Sequence, residues 1–531
     1  MIRPDFQRPD WQESLTFSLR TLLVLALALA LSACATQRFA SYSRPSPEAA
    51  LPAQPDGAFA ALESGIRELH GPEVSGFRLL DSNESGLLWR LALIDTAQYS
   101  IDVQYYLWYG DAAGRLLAKR LLDAADRGVK VRMLVDDLNT LIGEGNTISL
   151  RDKVAAWIDA HPNVEIRLFN PWSSREIASR AGEMVTDLQR LNQRMHNKAM
   201  IVDNQAVILG GRNIGENYFG LSTEFNFHDL DVLGLGPVAR QTSAIFDSYW
   251  NSPWVMPVSA LDLPVSEAEQ AEARAALLNR LIDTPSLAGF PLAPQSWSKE
   301  IAALRREWHR GTSQVFSDRP EPQTIDHVML EKIHAMLSSA EREVRIVNAY
   351  IIPAERGIEA LRSLNDRGVT IKILTNSLAS HDVPAVNSHY KPWRQAILEA
   401  GADLFEIRHD AAIQPLVVDT PPTHAKFMGL HAKGMVVDGE RVYIGSMNYD
   451  PRSAEINTEM GVFIDSPGLA EALTAVIERD MRPVNSWQVK LDDQGKLFWV
   501  NDQQRVTRQP ARSWWQRVQD FIFMFFPKEL Y

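Results

Sequence analysis

The chain has 531 residues, enough for two core-forming units of comparable size, and its 45% hydrophobic and 23% charged residues are ordinary for a folded globular protein. A net charge of −12 excludes a protein whose main task is to grip an extended phosphate backbone, which needs a basic footprint, and leaves room only for a local basic pocket. The single cysteine, Cys34, excludes an intramolecular disulfide.

In chain order, Leu22 to Leu31 is a run of ten apolar residues between Arg20 and Ser32-Ala33-Cys34. A bilayer crossing needs about 20 such residues, whereas ten suit the apolar region of a secretory signal. Leu31-Ser32-Ala33-Cys34 resembles the lipobox of bacterial lipoproteins, which implies lipidation of Cys34 and a mature chain starting there. Residues 1–34 are thus read as a signal peptide, with an uncleaved signal anchor as the other reading. The expected location is the bacterial cell envelope, lipid-anchored to a membrane and facing the periplasm. Residues 35–60, with Pro45, Pro47, Pro52, Pro55 and Gly57, read as a flexible tether.

Residues 61–250 read as a first α/β domain. Leu87 to Ala97 has a helical pattern, and Ser100 to Trp108 alternates like a strand. Gly114 to Ala125 is an amphipathic helix with Leu117, Leu121 and Leu122 on one side, stopped by Asp126-Arg127-Gly128 before a buried strand over Val129 to Val135. Tyr105, Tyr106, Trp108 and Tyr109, at a strand end, fit either a lipid path or half-buried core. Residues 251–324 break the pattern with a charged helix over Ser266 to Asp283 and a Pro-rich stretch, and read as a linker with a helical insert. Residues 325–490 repeat the first domain: strand Val344 to Pro353, helix Ile358 to Leu364, stop Asp366-Arg367-Gly368, strand Val369 to Leu374. Strand–helix–strand units of this kind make parallel pairs in an α/β sheet. In the tail, 491–531, Trp514, Trp515, Val518, Phe521, Ile522 and Phe525 share a helical stripe, widened by Phe523, Met524 and Phe526. Such a helix can lie in a bilayer interface or cap the domain core, and both readings stand.

The chemistry-bearing stretch is His196-Asn197-Lys198, followed by Asp203, Gly210-Gly211 and Asn213. In the second half His431-Ala432-Lys433 is followed by Asp438, Gly445-Ser446 and Asn448. His, Lys, Asp, Gly and Asn recur at offsets of 0, 2, 7, 14 and 17 in both places. At roughly 5% per residue type, five such matches arise by chance on the order of 10⁻⁷ per start position, so the chain carries a true internal repeat. A Glu follows each His after 28 residues, as Glu224 and Glu459. From His to the apolar pair before Asp each motif reads as a strand, so His and Lys at i and i+2 share a face. Asp203-Asn204 and Asp438-Gly439 read as turns, with return strands over Ala206 to Leu209 and Arg441 to Ile444. Two such hairpins would make a cationic, donor-rich pocket sized for one phosphate, with a nucleophile, a proton donor and fixed donors.

The doubled pattern H-x-K-x4-D-x6-G-(S/G)-x-N resembles the phospholipase D superfamily, from about residue 75 to 480. The resemblance implies a pseudo-twofold α/β sandwich, two related domains with one active site at their interface. It implies a phosphohistidine intermediate, with His196 as nucleophile and His431 as acid; near symmetry leaves the reverse assignment open. The catalytic set would be His196, Lys198, Asp203, His431, Lys433 and Asp438, with Lys198, Lys433, Asn213 and Asn448 on the phosphate. Within that set Asp203 and Asp438 suit bracing of the hairpins better than substrate contact. Glu224 and Glu459 would orient the histidines. Gly211 stands where Ser446 stands in the second repeat, which makes the halves unequal. No cofactor is implied, since the superfamily chemistry needs no metal, so His228-Asp229-Leu230-Asp231 reads as a polar cluster at a strand start. Thr423-His424-Ala425-Lys426 has His431 where the Asp belongs and reads as a decoy near the site mouth.

The lipoprotein signal, the doubled motif and the Phe525-Phe526-Pro527-Lys528-Glu529-Leu530 tail resemble the bacterial cardiolipin synthase branch, nearest its C type. That branch implies phosphatidyl transfer between glycerophospholipids: phosphatidylglycerol as partner, phosphatidylethanolamine as a second candidate, a membrane surface, and no nucleic acid. Phospholipase D hydrolysis is the first competitor. Further competitors are a phosphodiesterase or nuclease of the superfamily and a non-catalytic lipid-binding lipoprotein.

Overall fold

Apolar runs bounded by turn residues set the strands, and the sheet they form determines where the site lies. The structure is a computed structural model that describes residues 45–137, 148–172, 175, 180, 182–184, 187–321 and 326–526. Cys34 with the signal segment, and the tail beyond Phe526, lie outside the described residues.

The first repeat contains strands β1 (Val74–Leu80), β2 (Ser100–Tyr105), β3 (Lys130–Asp136), β4 (Val164–Phe169), β5 (Lys198–Val202), β6 (Ala206–Gly210), β7 (Phe225–His228) and β8 (Asp231–Leu235). Its helices are α1 (Ala60–His70), α2 (Asn83–Thr96), α3 (Ala112–Asp126), α4 (Ile148–Asp159) and α5 (Pro237–Trp250). Next come β9 (Val255–Pro257), α6 (Glu267–Ile282), α7 (Ser298–Glu307) and β10 (His309–Ser317). The second repeat adds α8 (Val328–Ser338), β11 (Glu343–Asn348), α9 (Ala354–Asp366), β12 (Thr370–Asn376), α10 (Pro384–Tyr390), α11 (Trp393–Glu399) and β13 (Ala402–Ile407). It continues with β14 (Phe427–Leu430), β15 (Lys433–Val437), β16 (Arg441–Gly445), β17 (Met460–Asp465), α12 (Pro467–Asp480), β18 (Ser486–Leu491), β19 (Leu497–Val500), β20 (Arg505–Val506) and α13 (Trp514–Phe523).

Strands β4, β3, β2, β5, β6, β8 and β1 lie side by side in that order. Strands β13, β12, β11, β15, β16, β17 and β10 repeat the order from the other side. The two runs join where β1 and β10 pair antiparallel, with Phe77 opposite His309. In each half the inner pairs β2–β3 and β11–β12 are parallel, as their crossover helices α3 and α9 require. Strand β10 is the counterpart of β1, so the second repeat begins at His309, inside the stretch that sequence patterning assigned to a linker. Alternating exposure along β10 hid it, because its outward residues are polar. The charged helix of that stretch is α6, which opens with a reciprocal capping box between Ser266 and Glu269.

Each motif hairpin turns through two residues in left-handed backbone, Asp203 (φ 51°) and Asn204 (φ 54°), and Asp438 (φ 57°) and Gly439 (φ 70°). This is the primed geometry whose twist matches a two-residue hairpin, and Asn, Asp and Gly adopt it at least cost. The Asp203 carboxylate accepts the backbone N–H groups of Gln98, Tyr99 and Ser100, the last at 2.9 Å. Asp438 does the same for Glu341, Arg342 and Glu343. Both motif aspartates therefore tie their hairpin turn to the start of the neighbouring strand.

Three apolar clusters make the core. One lies under α1–α4 and the outer face of the first repeat, one is its equivalent in the second, and a central one joins residues of both halves such as Met195, Leu230, Leu430 and Val436. Because β5 and β15 are buried on both faces, they read as continuous apolar runs and not as alternating ones. Residues from 45 onward are not a free tether. Glu48 pairs with Lys130, accepts the Trp250 indole N–H at 3.1 Å and exchanges bonds with Asn251, while the Asn204 amide donates to the Leu51 carbonyl at 3.2 Å. A half-buried carboxylate and backbone bonds thus strap this segment to the turn end of the sheet.

Candidate active site

The antiparallel register that sets Tyr105 opposite Lys198, and Asn348 opposite Lys433, places both His-x-Lys pairs at the carboxyl ends of the parallel strands. Ligands bind at that edge of open α/β sheets. His196 and His431 stand just before β5 and β15, not within them. Each is about 6% exposed, a buried ring with a small window, and Lys198 and Lys433 are fully enclosed.

Two short parallel contacts cross the interface and fix the histidines. On one side His196 N–H donates to the Thr458 carbonyl and Thr458 N–H to that of Arg194, which sets Glu459 beside His196. On the other, β7 and β14 pair in parallel with Leu430 opposite His228, which sets Asp229 beside His431. The outcome is a crossed pair of dyads. His196 Nδ1 meets Glu459 Oε2 at 2.8 Å, and His431 Nδ1 meets Asp229 Oδ2 at 2.6 Å. A carboxylate at Nδ1 holds the proton there and leaves Nε2 as the ring nitrogen free for chemistry. Glu224 does not orient a histidine. It is exposed and pairs with Lys426 at 2.6 Å, because the first repeat carries a longer loop that moves the equivalent position on to Asp229.

The same difference explains Gly211. A Cβ there would lie 2.1 Å from Asp229 Oδ1, so the carboxylate occupies the space that a serine would need. In the second repeat Ser446 fills that space and its hydroxyl donates to Glu459 Oε2 at 2.5 Å. Arg212, which the sequence reading passed over, holds Asp229 from behind through its carbonyl at 2.6 Å, while also meeting Asp231 at 3.1 Å. The motif spacing carried no signal for this, since Met447 is the counterpart of Arg212.

Burial pushes the His196 imidazole well below its ordinary range, and Lys198, Lys433 and His431 push the same way. Burial and Lys433 lower His431 as well, but there Asp229 opposes them. The lysines fall to about 7 at Lys198 and about 8 at Lys433, chiefly through burial. The carboxyl groups diverge. Burial works against ionisation of Asp229, yet His431, Lys433 and Arg212 outweigh it and hold the group well below the usual carboxylate range. Burial dominates at Glu459 and raises it well above that range, against Lys198 and Ser446. Both imidazoles are thus biased toward the neutral form, and at His431 an ionised carboxylate opposes that bias.

Lys198 Nζ donates to the His196 carbonyl at 2.7 Å, and Lys433 contacts the His431 carbonyl likewise. The two asparagines differ. Asn213 is committed, its amide donating to the Tyr218 hydroxyl at 2.9 Å and its oxygen accepting Leu107 N–H. Asn448 is buried, and its side-chain oxygen has no hydrogen-bond partner among the described residues. Tyr106 sets its ring edge-on to His196 at 4.9 Å and Tyr218 does so to His431 at 5.2 Å, so aromatic walls enclose both rings. Asp203 and Asp438 do not reach the site. They sit at the far ends of β5 and β15, with their oxygens occupied by backbone amides. His228 pairs with Asp480 at 2.8 Å, which splits the His228–Asp229 segment between two partners. His424 is exposed and faces Asp419.

Repeats and hairpins thus bring two crossed histidine–carboxylate dyads to one edge of the sheet. A family model described as "Cardiolipin synthase, PLD-like domain" matches residues 91–250 and 333–481. The chain is 36% identical to cardiolipin synthase C of Escherichia coli K12 over 473 residues, 86% of this chain and 96% of that one. It is 24% identical to a cardiolipin synthase of Geobacillus kaustophilus over 70% of this chain and 59% of that one. Among solved structures, phosphatidylserine synthase of Haemophilus influenzae shares the fold, with a TM-score of 0.53 and 13% identity over 79% of this chain and 91% of that one. The chain belongs to the phospholipase D-like family, and within it is similar to cardiolipin synthases.

Proposed function

We propose that the protein is a phosphatidyltransferase that forms cardiolipin from two glycerophospholipids through a covalent phosphohistidine. The observation that carries this reading is the pair of crossed dyads, His196–Glu459 and His431–Asp229, buried together with Lys198 and Lys433. In the first step His196 Nε2 attacks phosphorus, the P–O bond to the headgroup alcohol breaks, and His431 gives that alcohol its proton. In the second a lipid hydroxyl attacks the phosphohistidine, His431 takes the hydroxyl proton, and the P–N bond breaks. The neutral bias at His196 suits a nucleophile, and the ionised Asp229 beside His431 suits a proton donor. Lys198, Lys433 and Asn448 are the groups assigned to the phosphate oxygens. Phosphatidylglycerol is the proposed acceptor, with phosphatidylglycerol or phosphatidylethanolamine as donor.

Cys34 is proposed as the lipidated first residue of an envelope protein facing the periplasm. No helix of the described residues is long and apolar enough to cross a membrane.

The test incubates purified protein with labelled phosphatidylglycerol, with and without phosphatidylethanolamine, and resolves the products. Cardiolipin is the expected product. Phosphatidic acid alone would replace transfer by hydrolysis, and cleavage of DNA without any lipid product would remove both lipid readings. Trapping of a phosphorylated enzyme should vanish in His196→Asn; if it vanishes only in His431→Asn, the two roles are exchanged.

A further inference from the structure

Helix α13 is docked the wrong way round for a core helix. Its buried residues are Gln516 and Asp520, while Trp514 is 75% exposed, Trp515 and Phe521 57% each, and Phe525, in the turn just past its end, 71%. The polar face is pinned by a network. Asp520 accepts the Asn387 amide at 2.6 Å, the Lys391 ammonium at 2.9 Å and the Gln509 amide at 3.0 Å, and Gln516 donates to the Leu378 carbonyl at 2.5 Å. Such inward bonding holds the aromatic face outside, and a contiguous face of this kind on a folded protein marks a contact surface.

Two features indicate what covers it. The first is charge: between Gln503 and Phe526 the chain has four arginines, Arg505, Arg508, Arg512 and Arg517, and one carboxylate, the Asp520 that Lys391 already neutralises, in a protein of net charge −12. The second is position. Gln516 holds the turn that leads from Leu378 to Asp382, whose carboxylate accepts the Tyr350 hydroxyl at 2.8 Å beside Lys433. Arg512 stacks 3.6 Å from the ring of Phe427, on the strand that runs into His431. The helix is therefore joined to the active-site rim through two elements.

We propose that α13 and the turn after it form an interfacial docking element that seats the Trp514–Phe525 face in an anionic lipid bilayer and brings the active-site rim to the bilayer surface. Tryptophan and phenylalanine partition to the headgroup–acyl boundary, and arginines around them are drawn to anionic headgroups. The inference rests on the proposed lipid substrate for its purpose but not for its measurement.

The full chain carrying Cys34→Ser and Phe525→Cys offers a single thiol for an environment-sensitive bimane dye. A second chain carries the dye through Leu69→Cys on α1, a residue 78% exposed. Each is mixed with vesicles of phosphatidylcholine, alone or with equimolar phosphatidylglycerol, containing lipids brominated on the acyl chains. The expected result is a blue shift and quenching at position 525 on anionic vesicles and neither at 69. Adding Trp515→Glu and Phe521→Glu should lower vesicle partition about tenfold. Vesicle-bound protein without quenching at 525, equal quenching at both positions, or protection of 525 that rises with protein concentration in the absence of lipid would each overturn the proposal, the last in favour of a second copy. Turnover is scored on the same samples: insertion at 525 without lipid turnover removes the functional reading alone, and turnover with 525 in water removes this one alone.

Discussion

Glu459 belongs to the second repeat, yet its carboxylate hydrogen-bonds Nδ1 of His196 in the first, 263 residues away, at 2.8 Å. Asp229 returns the exchange on His431 at 2.6 Å. Each histidine is therefore oriented by the half to which it does not belong.

Replacing either carboxylate with its amide should separate the two roles. Asp229→Asn and Glu459→Gln are each expected to lower kcat by about 10²–10⁴, as for loss of a histidine-orienting carboxylate. A p-nitrophenyl phosphodiester needs no proton on its leaving group, so it should recover Asp229→Asn to within about tenfold of the native enzyme on the same substrate. Glu459→Gln should stay slow on it. Equal recovery of both variants would refute the assignment of His431 as acid.

Gly211→Ser should damage the site although it restores symmetry. The new Cβ meets Asp229 Oδ1 at 2.1 Å, so the carboxylate must leave His431. Overpacking of this kind costs about 1–3 kcal/mol in unfolding free energy. Combining Gly211→Ser with Asp229→Ala relieves the clash, and the double variant should recover stability in denaturant titration while remaining inactive.

Asp203 predicts the opposite separation. Its carboxylate accepts backbone N–H groups of Gln98, Tyr99 and the buried Ser100, so Asp203→Ala removes all three bonds and strands the last donor, at about 1–3 kcal/mol in all. Turnover per folded molecule should stay within about threefold of native, since the residue lies a strand length from the cavity. A hundredfold loss of kcat in protein shown folded by circular dichroism would return Asp203 to the chemistry.

Lys198→Met should trade function for stability. The native lysine is buried and its pKa falls from 10.5 to about 7. A lowered folded value means that the unfolded chain binds the extra proton between those limits, so the native protein gains stability as pH rises through that window. The cost of the buried ammonium is full below about pH 7 and vanishes near 10.5. The variant should therefore be more stable than native at pH 6.5, by about 1–3 kcal/mol of unfolding free energy in denaturant titration, with the difference shrinking toward pH 10 and activity lost throughout. A variant less stable than native at pH 6.5 would show that contacts of Lys198 outweigh its desolvation.

The doubled motif was legible because a reactive site tolerates few residue types at fixed offsets. His196, Lys198, His431 and Lys433 are brought together in one buried cluster, and Asp203 and Asp438 accept backbone amides at the hairpin turns. Glu224 does not take the orienting place for a countable reason: Asp229 lies eighteen positions after Gly211, but Glu459 only thirteen after Ser446. A constant offset carries over only where loops have equal length. Crossing of the dyads left no trace in spacing, since it depends on the parallel contacts of Met195 with Thr458 and of β7 with β14. Strand β10 and the Glu48 strap escaped because polar residues dominate their patterns and tertiary partners fix them. The tail's aromatic stripe was legible, but its outward orientation was not, because that rests on Asn387 and Lys391, more than a hundred residues upstream.

The reciprocal loan of Glu459 and Asp229 also sets when this protein becomes chemically competent. During synthesis His196 leaves the ribosome 263 residues ahead of Glu459. At roughly 5–20 residues per second that is a wait of roughly 13 to 50 seconds. Throughout that interval the nascent first repeat lacks the carboxylate that orients His196, and Asp229 waits 202 residues for His431. A chain cut short before residue 459 is thus expected to lack an oriented His196, and turnover of such a truncation measured against the full chain checks this.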